Sequence, residues 1–193
     1  MRTAIPCRRR WIADRDGGGH RQQESVSGEP ADETALGGPG LRSRVTQVCI
    51  VGAPDVAVRY ELLSRETARE ALSTYDLREP HANTLALDTV SLGAAVSLLN
   101  DLNWYLVRFA SDALVLDPSI DEFEWLSRDL ATAVRDERIA PDETGENCKI
   151  YGVSDDELVE PMYAVRTNGL PEYDLREVDD TLVVRITNEE FGG

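Results

Sequence analysis

Lysine is almost missing from this chain. Of 20 basic residues only Lys149 is a lysine; the rest are arginines, set against 36 aspartates and glutamates for a formal net charge of -16. Aromatic residues make up 6% of the chain, and no stretch approaches the roughly 20 apolar residues needed to span a bilayer as a helix. Three cysteines (Cys7, Cys49, Cys148) form neither a CxxC pair nor any other metal-ligand spacing. There are two histidines, and His20 falls in an arginine- and glycine-rich leader, so histidine chemistry in the patterned part of the chain would have to run through His81. Arg8-Arg9-Arg10 is followed by Asp14, Asp16 and Gly17 to Gly19 rather than an apolar region, which excludes a twin-arginine export signal.

What is present is acid. Surface carboxylates hold water and hydrated cations when molar salt competes for solvent, and at about 1 M salt a Debye length near 3 Å screens most of their mutual repulsion. In dilute solution the same charges push the fold apart. Acid excess with lysine depletion therefore reads as adaptation to a very salty cytoplasm. In a uniformly acidic proteome the sign of the charge is background and argues less, but no basic stripe is interleaved with aromatics, so nucleic acid is not the expected partner.

Composition changes abruptly at Val45. Residues 1–44 hold eight arginines, six acids and seven of the 14 glycines, leaving 12 cations and 30 acids for residues 45–193. The leader has no hydrophobic period to bury, so it cannot offset its ordering entropy. Two expectations follow: a disordered tail, or a mis-assigned extension upstream of a protein that begins at Val45 from a GTG codon. Residues 45–193 read as a single acidic α+β domain.

Val45 to Val51 is a β-branched apolar run, a buried strand ended by Gly52-Ala53-Pro54-Asp55. Residues 56–63 fit a strand or a helix equally. Ser64 reads as an N-cap for a helix over Arg65 to Thr74, and Thr84 to Val90 as a strand. Ser91 caps a helix whose positions Leu92, Ala95, Val96, Leu99 and Leu102 keep the helical period. Alternation predicts a strand over Trp104 to Ala110, a turn at Ser111-Asp112 and a second strand over Leu114 to Leu116. Asp121 and Glu124 resemble a capping box before a helix carrying Phe123, Leu126, Leu130, Ala133 and Val134. Cys148 to Val153, residues 158–166 and residues 181–187 complete the strands. The order from Thr84 to Val153 is β-α-β-β-α-β, predicting a ferredoxin-like core with an extra N-terminal strand and helix and C-terminal antiparallel strands.

Chemistry is sparse. Gly52-Ala53-Pro54 lacks the phosphate-binding glycine patterns and its proline removes a donor. The clusters Asp121/Glu122/Glu124, Asp142/Glu143/Glu146 and Asp155/Asp156/Glu157 lack the ligand alternation of a calcium loop, so no metal and no cofactor is implied. Cys49 reads as a small buried hydrophobe, and a Cys49–Cys148 bridge is possible but unneeded in a reducing cytoplasm. Tyr75-Asp76-Leu77-Arg78-Glu79 recurs as Tyr173 to Glu177, a reused connector rather than a repeat architecture. Leu99 to Tyr105 gathers amides and aromatics, as one rim of a pocket or as a helix C-cap at Asn103 with a core aromatic behind it. Candidate binding residues are Arg78, His81, Asn100, Asn103 and Trp104; none is assigned a catalytic role.

The passages VGAPDVAVRYELLSRETAREALSTYDLREP (Val51–Pro80), SLGAAVSLLNDLNWYLVRF (Ser91–Phe109) and KIYGV (Lys149–Val153) resemble a family of short acidic proteins of halophilic archaea whose function is unknown. The resemblance covers most of residues 45–193, none of 1–44, and implies no activity. The expectation is a non-catalytic binding, regulatory or protein-interaction module of the cytoplasm, with a protein partner or a second copy and no membrane. The alternative is an enzyme of unrecognised class using His81 and nearby carboxylates.

Overall fold

The first strand, β1 (Thr46–Gly52), is flanked on both sides, by β2 (Thr84–Thr89) and β3 (Ala110–Leu116), each antiparallel to it. The computed structural model describes residues 45–167 and 178–192; the expectations for residues 1–44 and for the second copy of the connector, Tyr173 to Glu177, lie outside them. Beyond β3 the sheet continues through β4 (Trp125–Ser127), β8 (Asp180–Ile186) and β5 (Asn147–Ser154). Two short strands, β6 (Glu157–Leu158) and β7 (Met162–Val165), share the outer side of β5.

This order overturns the ferredoxin-like expectation. Strand order is β2-β1-β3-β4-β8-β5-β6, one curled eight-stranded sheet. Element order along the chain constrains which strands pair only loosely. One half of the expectation is visible, since β2 and β3 both oppose β1 and so run the same way with one strand between them. That intervening strand, read from sequence as an extra, is central. The second half fails because β8 inserts between β4 and β5, parallel to the first and antiparallel to the second.

Helices α1 (Val58–Ser64), α2 (Glu66–Leu72), α3 (Leu92–Asp101), α4 (Asn103–Phe109) and α5 (Arg128–Arg135) contribute to a single core with one face of the sheet. That core joins Val48 and Ile50 of β1 with Leu85, Leu87, Val115, Leu62, Leu72, Leu99, Leu102 and Leu130. A short α6 (Asn188–Phe191) ends the described chain.

One open reading is decided, and four local expectations need correction. Residues 58–64 are helical, with the cap supplied from 25 residues away: Asn83 Oδ1 accepts the Val58 N–H at 3.0 Å. Ser64 is the last residue of α1, its hydroxyl donating to the Glu61 carbonyl, and Arg65 precedes α2 as its extended N-cap residue. Residues 103–109 form a helix, not a strand. Leu102 and Leu106 are its buried pair, Tyr105 and Phe109 are partly buried beside them, and Val107, which alternation pointed inward, is 76% exposed. The 102, 105, 106, 109 spacing is helical, and it outweighs the period-two pattern on the same residues. With no turn at Ser111-Asp112, β3 runs unbroken from Ala110. Lastly, α5 starts at Arg128, capped by Ser127, whose Oγ accepts the Leu130 N–H at 3.2 Å. Asp121 instead caps its own turn, accepting from the Phe123 and Glu124 N–H groups, and Phe123 is exposed.

Candidate functional site

Side chains alternate along β1, so Cys49 faces away from the helices that cover Val48 and Ile50. Its register partners Ala86 and Leu114 share that second face, and all three are buried. What buries them is the sheet itself. Adjacent strands lie about 4.8 Å apart, so β3 and β5, three positions apart, would stand roughly 14 Å apart in a flat sheet. Yet Lys149 Nζ on β5 donates to Asp112 Oδ2 on β3 at 2.7 Å, and the Tyr151 hydroxyl donates to the same oxygen at 2.9 Å. The curl closes the concave side around this polar cluster.

Lys149, the sole lysine, also lies 5.7 Å from the Tyr151 ring centroid and 5.8 Å from that of Tyr163. Burial works against its ammonium, but the Asp112 carboxylate outweighs it and holds the Lys149 pKa above the ordinary lysine value. Burial together with the Asp112 charge pushes the Tyr151 phenol well above its usual range. Burial, reinforced by Asp112, pushes the Cys49 thiol up to about 12. At neutral pH the cluster therefore holds an ammonium, a neutral phenol and a neutral thiol. None is a nucleophile in that form.

A second network lies on the other side of β8. Arg185 Nε donates to Glu124 Oε2 at 2.6 Å and its Nη1 to Thr144 Oγ1 at 2.9 Å; Asp121 takes a third bond, and Arg166 shares Glu124 at 2.7 Å. Cys148 lies against it, its thiol raised chiefly by burial. Cys49 and Cys148 are both free, so the possible bridge is not formed. Among the described residues no group of three or more His, Cys, Asp and Glu side chains is placed to hold a metal ion. A groove of about 480 Å³ beside α5 and α6 carries Asp129, Glu143, Glu146 and Glu189 with Arg138, a carboxylate-rich surface. No helix among the described residues is long and apolar enough to cross a membrane.

The residues singled out from sequence fall in two places. Arg78 and His81 belong to the segment entering β2. Arg78 makes an isolated antiparallel bridge with Ala86 and its guanidinium pairs with Asp88. The His81 backbone is pinned to Thr84, whose hydroxyl accepts from its N–H at 3.0 Å and donates to its carbonyl at 2.6 Å. Burial lowers the His81 pKa, and the opposing charges of Asp156 and Asp180 do not restore it.

Asn100, Asn103 and Trp104 come together where α3 hands over to α4. Leu102, not Asn103, is the C-cap of α3, and Asn103 is the first residue of α4. Trp104 is 56% exposed rather than a core aromatic, edge-on to Tyr105 at 5.0 Å with the Arg108 guanidinium 4.9 Å from its ring centre. Val107 stands one turn further on. Arg128 Nη2 donates to Asn100 Oδ1 at 3.1 Å, and Arg65 lies 5.6 Å from the Phe109 ring. This is an outward-facing surface of apolar, amide and cationic groups, with Asp101 exposed among them.

Residues 46–153, from β1 through most of β5, match the model of a family of unknown function, DUF5804. The chain belongs to that family. No curated protein and no solved structure matches it. The DUF5804 segment includes Asp112, Lys149, Tyr151 and all of α4, but not β8, which completes the sheet between β4 and β5.

Proposed function

We propose that the domain is a non-catalytic protein-interaction module of a salt-rich cytoplasm, with α4 as its contact face. The salt-rich setting rests on composition and on the resemblance to proteins of halophilic archaea. One observation carries the interaction reading: Trp104 and Val107, 56% and 76% exposed, stand one turn apart on α4 with Arg108 over the indole. Single apolar side chains on a surface are ordinary. Tryptophan and arginine, however, are the residues most enriched where binding energy concentrates, and lysine and acids are depleted there. Between Ser91 and Ala110 only Asp101 and Arg108 are charged, in a chain where 29% of residues are. The protonation states inside the concave face add support, since they leave no activated nucleophile.

The enzyme reading draws on one observation, that Asp156 and Asp180 act on a half-buried His81. A neutral imidazole could serve as a base, but Cys49 and Cys148 are held protonated and the Thr84 hydroxyl is committed to the His81 carbonyl.

The test is sedimentation of the full chain in extract of its own cells, wild type against a Trp104→Ala/Arg108→Ala variant. The expected result is a wild-type species heavier than the monomer and a variant at monomer mass with an unchanged melting temperature. Equal sedimentation of the two proteins would contradict the reading, and a His81→Gln protein should sediment like wild type.

A further inference from the structure

We infer that Lys149 is an acylation site latched by α6, closed to acyl phosphates while that helix is docked and open to them when it lifts. The site is independent of what docks on α4.

Lysines ordinarily stand in water. The one lysine of this chain lies instead inside the curl of the sheet, bonded to Asp112 and flanked by the rings of Tyr151 and Tyr163. No second lysine competes with it, so lysine-directed acylation of this chain falls on Lys149 alone. Two residues of α6 reach the cluster. The Phe191 ring meets that of Tyr163 edge-on at 6.3 Å, and the Glu190 carboxylate is close enough to act on the Lys149 charge. Glu190 also lines a groove of about 170 Å³ together with Asp112 and Arg128. The groove reaches the acid of the ion pair but is not lined by the lysine.

The hold on α6 is shallow. None of its residues is buried. Among the described residues it is tied to the sheet side by side-chain hydrogen bonds from Ser127 Oγ to Glu190 Oε2 at 2.7 Å and from Asn147 Nδ2 to Asn188 Oδ1 at 2.6 Å, besides the Phe191 ring contact. The cap between Thr187 and Glu190 is internal to the segment. An element with so little buried surface opens far more often than the strands beneath it.

Docked, Lys149 is an ammonium paired with a carboxylate and is no nucleophile. When α6 lifts, water reaches it, one proton leaves to solvent, and the amine nitrogen attacks the acyl carbon. The C–N bond forms as the C–O bond to phosphate breaks; phosphate leaves with the electron pair and a second proton passes to it from the nitrogen. The acyl-lysine is neutral, so Asp112 loses its counter-charge and re-docking would bury a lone carboxylate.

The experiment treats the full chain with acetyl phosphate, in KCl that keeps a native circular dichroism spectrum, and reads acetylation peptide by peptide against the amino terminus as reference. Lys149 should react roughly tenfold or more slowly in wild type than in a Glu190→Ala/Phe191→Ala protein. Cys148, next to Lys149 on β5 and so on its opposite face, should stay as unreactive to a thiol reagent in that variant as in wild type. Equal Lys149 rates in the two proteins would overturn the inference, because α6 would then shield nothing. Lys149 and Cys148 becoming reactive together would overturn it as well, because only loss of the sheet would then expose the lysine. Should the variant fail to fold, a urea series on wild type decides. Lys149 acetylation that rises before the circular dichroism transition supports the latch, and acetylation that tracks the transition refutes it.

Discussion

Lys149 and Asp112 form a 2.7 Å ion pair across the concave face of the sheet, although β4 and β8 lie between the strands that carry them. Their side chains are 15% and 11% exposed, so both charges are largely withdrawn from water. The pair, with the Tyr151 hydroxyl on the same carboxylate, ties β3 to β5 across the curl.

Removing one partner should therefore cost far more than removing both. Asp112→Ala leaves a buried ammonium and an unanswered phenol, and should destabilise the fold by about 3 kcal/mol or more. Replacing both members with apolar residues of similar size, Asp112→Leu with Lys149→Met, should recover most of that loss. Denaturant melts of the three proteins at one fixed salt concentration check this; equal losses in the single and double variants would contradict a buried, coupled pair.

Alkaline pH should destabilise the chain through its thiols first. The folded-state pKa of Cys49 is raised, to about 12 from 9.0, and that of buried Cys148 is raised too. A raised folded value means the contribution is complete below the unfolded pKa and is lost as pH climbs through the folded one. Stability should thus fall above about pH 9, at up to about 1.4 kcal/mol per pH unit for each thiol. Tyr151 and Lys149, also raised, extend the fall above their own ordinary values. A Cys49→Ala/Cys148→Ala protein should show a flatter profile between pH 9 and 10 in thermal melts, whatever its stability at neutral pH.

Asn83 caps α1 from a distance, accepting the Val58 N–H with Oδ1 and donating from Nδ2 to the Ala53 carbonyl at 3.2 Å. Its backbone has φ 52°, a conformation asparagine tolerates better than alanine does. Asn83→Gly keeps that conformation and loses the cap, at about 1 kcal/mol; Asn83→Ala loses both and should cost more. The ordering of the two variants in equilibrium unfolding is the check, and equal stabilities would remove the cap from the account.

This pair also shows where the sequence stopped being legible. β1, β2, α3, β5 and β8 could be read directly, because each carries its own period and its own turn or cap: Ser91 caps α3 locally, its hydroxyl accepting the Ala94 N–H. The ambiguity at 56–63 arose because the cap of α1 sits in another segment. The error at 103–109 arose because Tyr105, Val107 and Phe109 satisfy a period of two, while Leu102 and Leu106, the pair that is buried, satisfy a period of four. Sheet order depends on contacts between distant strands, such as Trp125 beside Val184, that no local pattern encodes. The same holds for the concave cluster. The solitary lysine was its one visible mark, and nothing near it pointed to Asp112 at a separation of 37 residues.

Salt should act in the opposite direction to its usual effect on a protein held by surface ion pairs. With a net charge of -16, self-repulsion in dilute buffer lowers stability, and screening relieves it as the Debye length shrinks from about 10 Å at 0.1 M to about 3 Å at 1 M. The melting temperature should rise steadily with KCl across that range. A flat or falling profile would contradict adaptation to a salt-rich interior.

The most direct test of the interaction reading is the oxidative labelling rate of Trp104, read peptide by peptide so that Trp11 and Trp125 are separated from it. The rate is compared between the dilute purified chain and the same chain in concentrated extract of its own cells. Trp125 is buried and should label slowly in both, serving as the internal reference. The account requires Trp104 to label fast in the dilute chain and several-fold more slowly in the extract. Equal, fast labelling in both would leave the α4 face unoccupied and contradict the claim that it is where this protein meets its partner.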